Sequence, residues 1–164
     1  MAGAATPALR ALVDAGIDHE VRTYDPGSLS EDDGADVARA LGLDPAAVAK
    51  TLITAIDDDL VVAVVPVLDR IDLKALAAAA GGKRAQLAER AAAERAAGSV
   101  RGAISPLGLR RRLPTVVHDG LLVLERVWVS GGRRGLEVGL TPDALVRCTD
   151  ATVADITTVA PRPT

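Results

Sequence analysis

Two β-branched apolar runs, "TLITAI" at Thr51–Ile56 and "LVVAVVPV" at Leu60–Val67, are separated only by Asp57, Asp58 and Asp59. Val, Ile and Thr favour extended backbone, and three successive aspartates read as a turn. The two runs are therefore expected to pair as an antiparallel hairpin. The chain has no Phe, one Tyr and one Trp, so Val, Leu, Ile and Ala must fill whatever core forms around that hairpin. At 164 residues it is long enough for one ordinary domain, expected to span 1–164.

Thr6 and Pro7 read as N-cap and first position of a helix over Pro7–Ala15 that stops at Gly16. "EVRTY" alternates as a short strand, and Asp25–Gly34 is a loop of small and acidic residues. A helix over Ala35–Leu41 stops at Gly42, and a short helix, "PAAVA", ends near Lys50. Asp72 caps a helix running to Ala80, and "KRAQLAERAAAERAAG" reads as helical up to Gly98. "VRGAISPLGLRRRLP" is broken by Gly102, Pro106, Gly108 and Pro114 and reads as an irregular basic loop. "TVVH", "LLVLE", "RVWVSGG" and "GLEVGL" read as strands in a late antiparallel meander. Thr141-Pro142 opens a last helix to Arg147, and the tail from about 159 is expected to fray. Strands and helices do not alternate regularly. The fold class is therefore α/β of the α+β kind: a curved, mixed, largely antiparallel sheet or open barrel with helices packed outside.

A lone cysteine, Cys148, cannot form an internal disulfide and has no neighbouring ligand. His19 and His118 lie far apart without HxxH or HExxH spacing, so no metal and no cofactor is expected. There is no GxSxG elbow and no Walker A sequence, and "SGGRRG" lacks the strand–GxGxxG–helix order of a dinucleotide site. No segment approaches membrane-spanning length, which predicts a soluble, cytoplasmic protein. The net charge of −3 is unevenly spread: residues 1–82 carry −8, residues 83–134 carry +7 and residues 135–164 carry −2. The central segment can present a positive face to phosphates, or be no more than a solvated helix and loop.

Four points remain, each open to a purely structural reading: Tyr24 at a strand end, the "GAISP" loop, "SGGRRGLE" ending in Glu137, and Lys50 between a helix and a strand. Lys50 is the one charge in "AAVAKTLITAI". It either snorkels its stem to water or holds an ammonium at the edge of a pocket.

The order and spacing of "VAKTLITAI", "VAVVPVLDRIDLKALA", "RGAISPLGLRRRLPTVV" and "VWVSGGRRGLEVGL" resemble the YbaK/EbsC family over nearly the whole chain. Its members are free-standing relatives of the editing domain inserted in bacterial prolyl-tRNA synthetase. The resemblance is strongest to the members that remove cysteine mistakenly attached to tRNA(Pro). It implies that Lys50 is the lysine needed for activity, with Tyr24 beside it. It implies that Gly102, Ala103, Ile104, Ser105 and Pro106 form a loop holding the aminoacyl end of the substrate, with Gly131, Gly132 and Glu137 also at the site. Arg110, Arg111, Arg112, Arg133 and Arg134 become candidate contacts to tRNA phosphates, with weak, salt-sensitive binding. The implied partners are aminoacyl-tRNA(Pro) and prolyl-tRNA synthetase. In cysteine-specific members the substrate thiol attacks its own ester carbonyl, so no protein nucleophile is needed. The family's "GGxRGLD" reads "GGRRGLE" here, placing Glu137 where aspartate is usual and leaving a deacylase for another small amino acid, such as alanine, as the alternative. A non-catalytic tRNA- or synthetase-binding module is the reading from a different class.

Overall fold

A computed structural model describes residues 5–29 and 34–158. The expected fraying from about 159 lies outside the described residues, as does part of the acidic loop.

The hairpin forms as the sequence requires. Strand β2 (Ala49–Ile56) pairs antiparallel with β3 (Asp59–Pro66) in full register, Ala49 opposite Pro66 and Ile56 opposite Asp59. The reversal needs only Asp57 and Asp58, and Asp57 takes a positive φ of 53°, a conformation aspartate tolerates better than most residues. Alternate β3 side chains enter two different cores. Val62 and Val64 pack with Leu12, Val117 and Leu145 on one face, and Val61, Ala63 and Val65 pack with Leu76 and Ile156 on the other. Burying each such side chain is worth about 1.5–3 kcal/mol, so aliphatic residues on both faces compensate for the missing aromatics.

Helix α1 (Pro7–Asp14) begins at Thr6, whose hydroxyl accepts the Leu9 amide at 3.2 Å. Strand β1 (Glu20–Thr23) follows, then α2 (Gly34–Leu41). The short helix expected before Lys50 is instead a single 3-10 turn, Pro45–Ala47, capped by Asp44, and Ala49 and Lys50 already belong to β2. Pairing with β3 claims them.

After β3 come β4 (Arg70–Ile71) and α3 (Leu73–Ala79), the helix capped by Asp72 at the Ala75 amide. The long helix expected to end at Gly98 is split. Ala85–Leu87 forms β5 on the outer edge of β2, and only α4 (Arg90–Ala97) is helical. The Asp57 carboxylate accepts the Lys83 and Arg84 amides at 3.1 Å each, delivering this segment to the open sheet edge, where pairing overrides helix propensity.

The basic stretch up to Pro114 contains no regular element, as expected. Strand β6 (Thr115–His118) follows, but "LLVLE" is not a strand: Asp119–Val123 is a 3-10 helix that buries Leu121 and leaves Val123 exposed. Strands β7 (Val127–Ser130) and β8 (Leu136–Leu140) form an antiparallel hairpin, and α5 (Pro142–Thr149) is capped by Thr141. Strands β9 (Thr152–Ala154) and β10 (Thr157–Thr158), like β4, are too short and polar to read from periodicity. The late strands are only partly a meander, because β6 pairs in parallel with both β3 and β9.

The result is a mixed α/β fold whose sheets, β5-β2-β3-β6-β9, β1-β8-β7 and β10-β4, do not close into a barrel. The junction between the first two positions the site. Beyond Ile53, whose carbonyl accepts the Ala88 amide, the outer edge of β2 meets no strand until a single parallel bridge joins Val48 to Trp128. Ala49–Leu52 therefore border a gap.

Candidate active site

A cleft of about 350 Å³ opens at that gap. Val48 and Trp128 face the same way across the bridge, so Lys50 and Ser130, two residues further along each strand, do too. Glu137 lies opposite Ser130 on β8, and Arg22 lies opposite Glu137 on β1. One face of the spliced sheet thus carries Lys50, Ser130, Glu137 and Arg22 in a row. Arg22 is held with its guanidinium 4.7 Å from the centre of the Trp128 ring.

Lys50 is half-buried and forms no ion pair among the described residues. Burial pushes its pKa below the usual lysine range, against a smaller upward pull from Asp69 and a further downward push from Arg70. Tyr24 directly follows β1, with its amide on the Gly135 carbonyl at 2.9 Å. Burial raises its phenol, the Gly135 backbone opposes this, Glu137 adds to the rise and Arg134 lowers it. Glu137 is 6 % exposed, and burial pushes its carboxyl up to about 8. Its Oε2 and the Thr51 hydroxyl are the buried side-chain oxygens left without a hydrogen-bond partner among the described residues, and both residues line the cleft.

The structure brings Tyr24, Lys50, Gly102, Ile104, Arg134 and Glu137 to this one cleft. Gly102 adopts a φ of 85°, open to glycine alone without strain. The rest of the expected loop lies behind the wall: Ala103 donates its amide to Val100, Ser105 accepts the Leu107 amide at 3.2 Å, and Pro106 is buried. Gly131 and Gly132 shape the β7–β8 turn instead of lining the cleft. The Gly131 carbonyl accepts the Thr6 hydroxyl at 2.5 Å and the Gly132 amide donates to Ser130 Oγ.

The arginines divide. Arg134 reaches the Leu29 and Pro26 carbonyls at 2.8 and 3.3 Å, tying the segment after Tyr24 to the cleft wall. Arg110 and Arg133 are exposed away from the cleft lining. Arg111 and Arg112 border a second groove with Asp57, Asp59 and Asp150. That groove sits at the turn end of the hairpin, and Ile56 lies six residue steps along β2 from Lys50, a distance of about 20 Å.

Sequence reasoning missed Thr51, Ser130, Arg101 and the α4 pair Arg90–Glu94, all in the cleft lining. Only the last had a readable signal, its i,i+4 spacing, seen as an ion pair at 3.0 Å. His118, Asp119 and Asp155 could offer three metal-ligating atoms within 4.8 Å of one another. However, His118 Nδ1 accepts the Ile156 amide at 3.2 Å and Nε2 lies 3.3 Å from the Thr157 hydroxyl, so the ring is engaged in holding the C-terminal strands.

The cleft is thus a gap between sheets lined by a partly desolvated lysine and a buried carboxyl. Residues 31–148 match the aminoacyl-tRNA editing domain family, and the chain belongs to it, an aminoacyl-tRNA deacylase by class. It is 35 % identical over 123 residues, 74 % of this chain and 75 % of the other, to an Enterococcus faecalis protein named "Putative Cys-tRNA(Pro)/Cys-tRNA(Cys) deacylase EbsC". Its fold matches the crystal structure of "a putative trans-editing enzyme for prolyl tRNA synthetase" with a TM-score of 0.84, at 24 % identity, covering 96 % of this chain and 99 % of that one. It also matches "hypothetical protein APE2540" with a TM-score of 0.83, at 24 % identity, covering 93 % of this chain and all of the other. No helix among the described residues is long and apolar enough to cross a membrane.

Proposed function

We propose that this chain, as one editing unit, removes cysteine from mischarged tRNA(Pro) in trans. One observation carries the reading: the cleft holding Lys50 and Glu137 is lined by no histidine or cysteine among the described residues. A cysteine nucleophile and a histidine base are therefore missing from the lining, and the hydroxyls there, Tyr24, Thr51 and Ser130, have no imidazole to activate them. An aminoacyl ester is already activated, so positioning and charge stabilisation suffice.

In the reaction the cysteine sulfur attacks the ester carbonyl, the new C–S bond closes a thiolactone, and the C–O bond to the ribose breaks. The thiol proton ends on the departing ribose oxygen. Lys50 holds the terminal ribose or phosphate and stabilises charge developing on the oxygens, with Tyr24 beside the same wall. Gly102 lets the substrate approach the backbone closely. Pocket size separates side chains one methylene apart by only about 1–3 kcal/mol, so the requirement for a thiol supplies the remaining discrimination. Prolyl-tRNA synthetase is the proposed partner that delivers the mischarged tRNA, and the cytoplasm the proposed compartment. The EbsC name, Cys-tRNA(Pro)/Cys-tRNA(Cys), supports the cysteine assignment.

The test is deacylation of Cys-tRNA(Pro) and Ala-tRNA(Pro) by the native protein and by Lys50→Ala, with the released product identified. Cysteine thiolactone from the native protein and a loss of at least about 100-fold in Lys50→Ala are expected. Release of alanine alone would replace the substrate and bring water into the mechanism, and cleavage of neither ester would favour the binding-module reading.

A further inference from the structure

Buried oxygens without partners are costly, by about 1–3 kcal/mol each, and those of the described residues fall in this cleft. Glu137 is the more informative. It is 94 % buried, and it shares a sheet face with Lys50 across the gap. Its Oε2 is buried with no hydrogen-bond partner, whether it would accept or, when protonated, donate.

Resting on the deacylase reading, we propose that Glu137 anchors the α-ammonium group of the ester-linked amino acid, which supplies the partner that Oε2 lacks. The cleft then selects aminoacyl-tRNA with a free amino group and rejects N-acylated and peptidyl esters, whose amide nitrogen carries no charge and a bulky substituent. That selectivity keeps an editing enzyme from releasing growing chains.

The charged and titratable groups around Glu137 come from every side of the cleft. Tyr24, Arg22 and Arg134 belong to its own sheet and the adjoining turn, and Lys50 to β2. Arg90 and Glu94 reach in from α4, and Arg101 from the loop. Burial, and none of these cations, dominates the carboxyl, which therefore stands largely protonated at neutral pH. None of these cations pairs with it, so an arriving ammonium would be its ion-pair partner. The ligand enters as R–NH₃⁺ and Glu137 as COOH, the complex is the carboxylate–ammonium pair, and one proton leaves to solvent. Affinity accordingly rises with pH up to about 8, where the free carboxyl ionises unaided, and falls above that as the ligand's own ammonium, with an ordinary pKa of about 8, loses its proton.

The probe is 3′-cysteinylamino-3′-deoxyadenosine, whose amide link resists cleavage, compared with its N-acetyl derivative by titration calorimetry in buffers of different ionisation heat. For the native protein at pH 7 we expect release of close to one proton per site and binding at least about tenfold tighter for the free amine than for the N-acetyl form. Glu137→Gln, checked for folding by circular dichroism, should release no proton and lose that preference. Equal binding of both analogues by native protein, or binding without proton release, overturns the proposal, and this arm needs no variant. Cleavage of Cys-tRNA(Pro) by the same preparation separates the outcomes: retained cleavage with equal analogue binding sinks only the ammonium anchor, and absent cleavage sinks the deacylase reading together with it.

Discussion

Glu137→Gln should make the protein more stable, and the gain should grow with pH. Burial raises the carboxyl from an ordinary 4.5 to about 8. An acid whose folded pKa lies above its unfolded value binds more protons in the native state, so stability is lost as pH rises from about 4.5 to about 8. Each unit is worth about 1.4 kcal/mol. Native protein is therefore penalised by about 1 kcal/mol at pH 5, about 3 kcal/mol at pH 7 and about 4 kcal/mol at pH 8, relative to a residue that does not titrate. Glutamine keeps the size and the polar head, and any cost of its own unpaired amide is the same at every pH. That cost cancels when one pH is compared with another. Urea unfolding of both proteins at pH 5 and pH 8 should show the stability difference moving by about 3 kcal/mol in favour of the variant. A difference that stays level across that range, or moves the other way, would refute the assignment of a buried, unpaired carboxyl. The same residue should be costly for folding and useful for binding, the conflict expected where a site is kept for function.

Two further perturbations probe parts of the fold outside the cleft. A Cβ at Gly108, where φ is 63°, would lie 2.4 Å from both the carbonyl carbon and oxygen of Pro7, so Gly108→Ala should cost about 3 kcal/mol and lower Tm by roughly 9 °C in a thermal scan. A Tm within about 2 °C of native would mean that the α1 contact is soft. Replacing Arg111 and Arg112 together with alanine should flatten the log–log salt dependence of tRNA binding by about 1.4–1.8, as two lost phosphate contacts require. An unchanged slope would assign those arginines to Asp57, Asp59 and Asp150 in their own groove.

What could be read in the sequence, and what could not, follows from where each signal resides. The hairpin was legible because β-branched runs and an aspartate turn are local features, and the caps at Thr6, Asp72 and Thr141 for the same reason. Ala85–Leu87 was not, because its strand state depends on an unfilled edge of β2 and on the Asp57 carboxylate, which holds the Lys83 amide from 26 residues earlier in the chain. "LLVLE" failed for the converse reason: β6, the strand it directly follows, already has β3 and β9 on its two sides, so no place next to β6 is open to it. The site divides in the same way. Lys50 stood out as a charge in an apolar run, and the resemblance pointed to Tyr24, Gly102, Ile104 and Glu137, which the fold gathers at one gap. Gly131, Gly132 and Ser105 belong to the same motifs but make turns and hydrogen bonds just behind that gap. A motif records which residues must stay together; which of them face the substrate is set by strand parity and by where two sheets part. Thr51 illustrates the limit: beside Lys50 it is an unremarked strand residue, and only the missing neighbour on β2's outer edge leaves its hydroxyl unpaired in the cleft. A Thr at that position carries chemical meaning because a strand is absent there, and no local pattern encodes an absence.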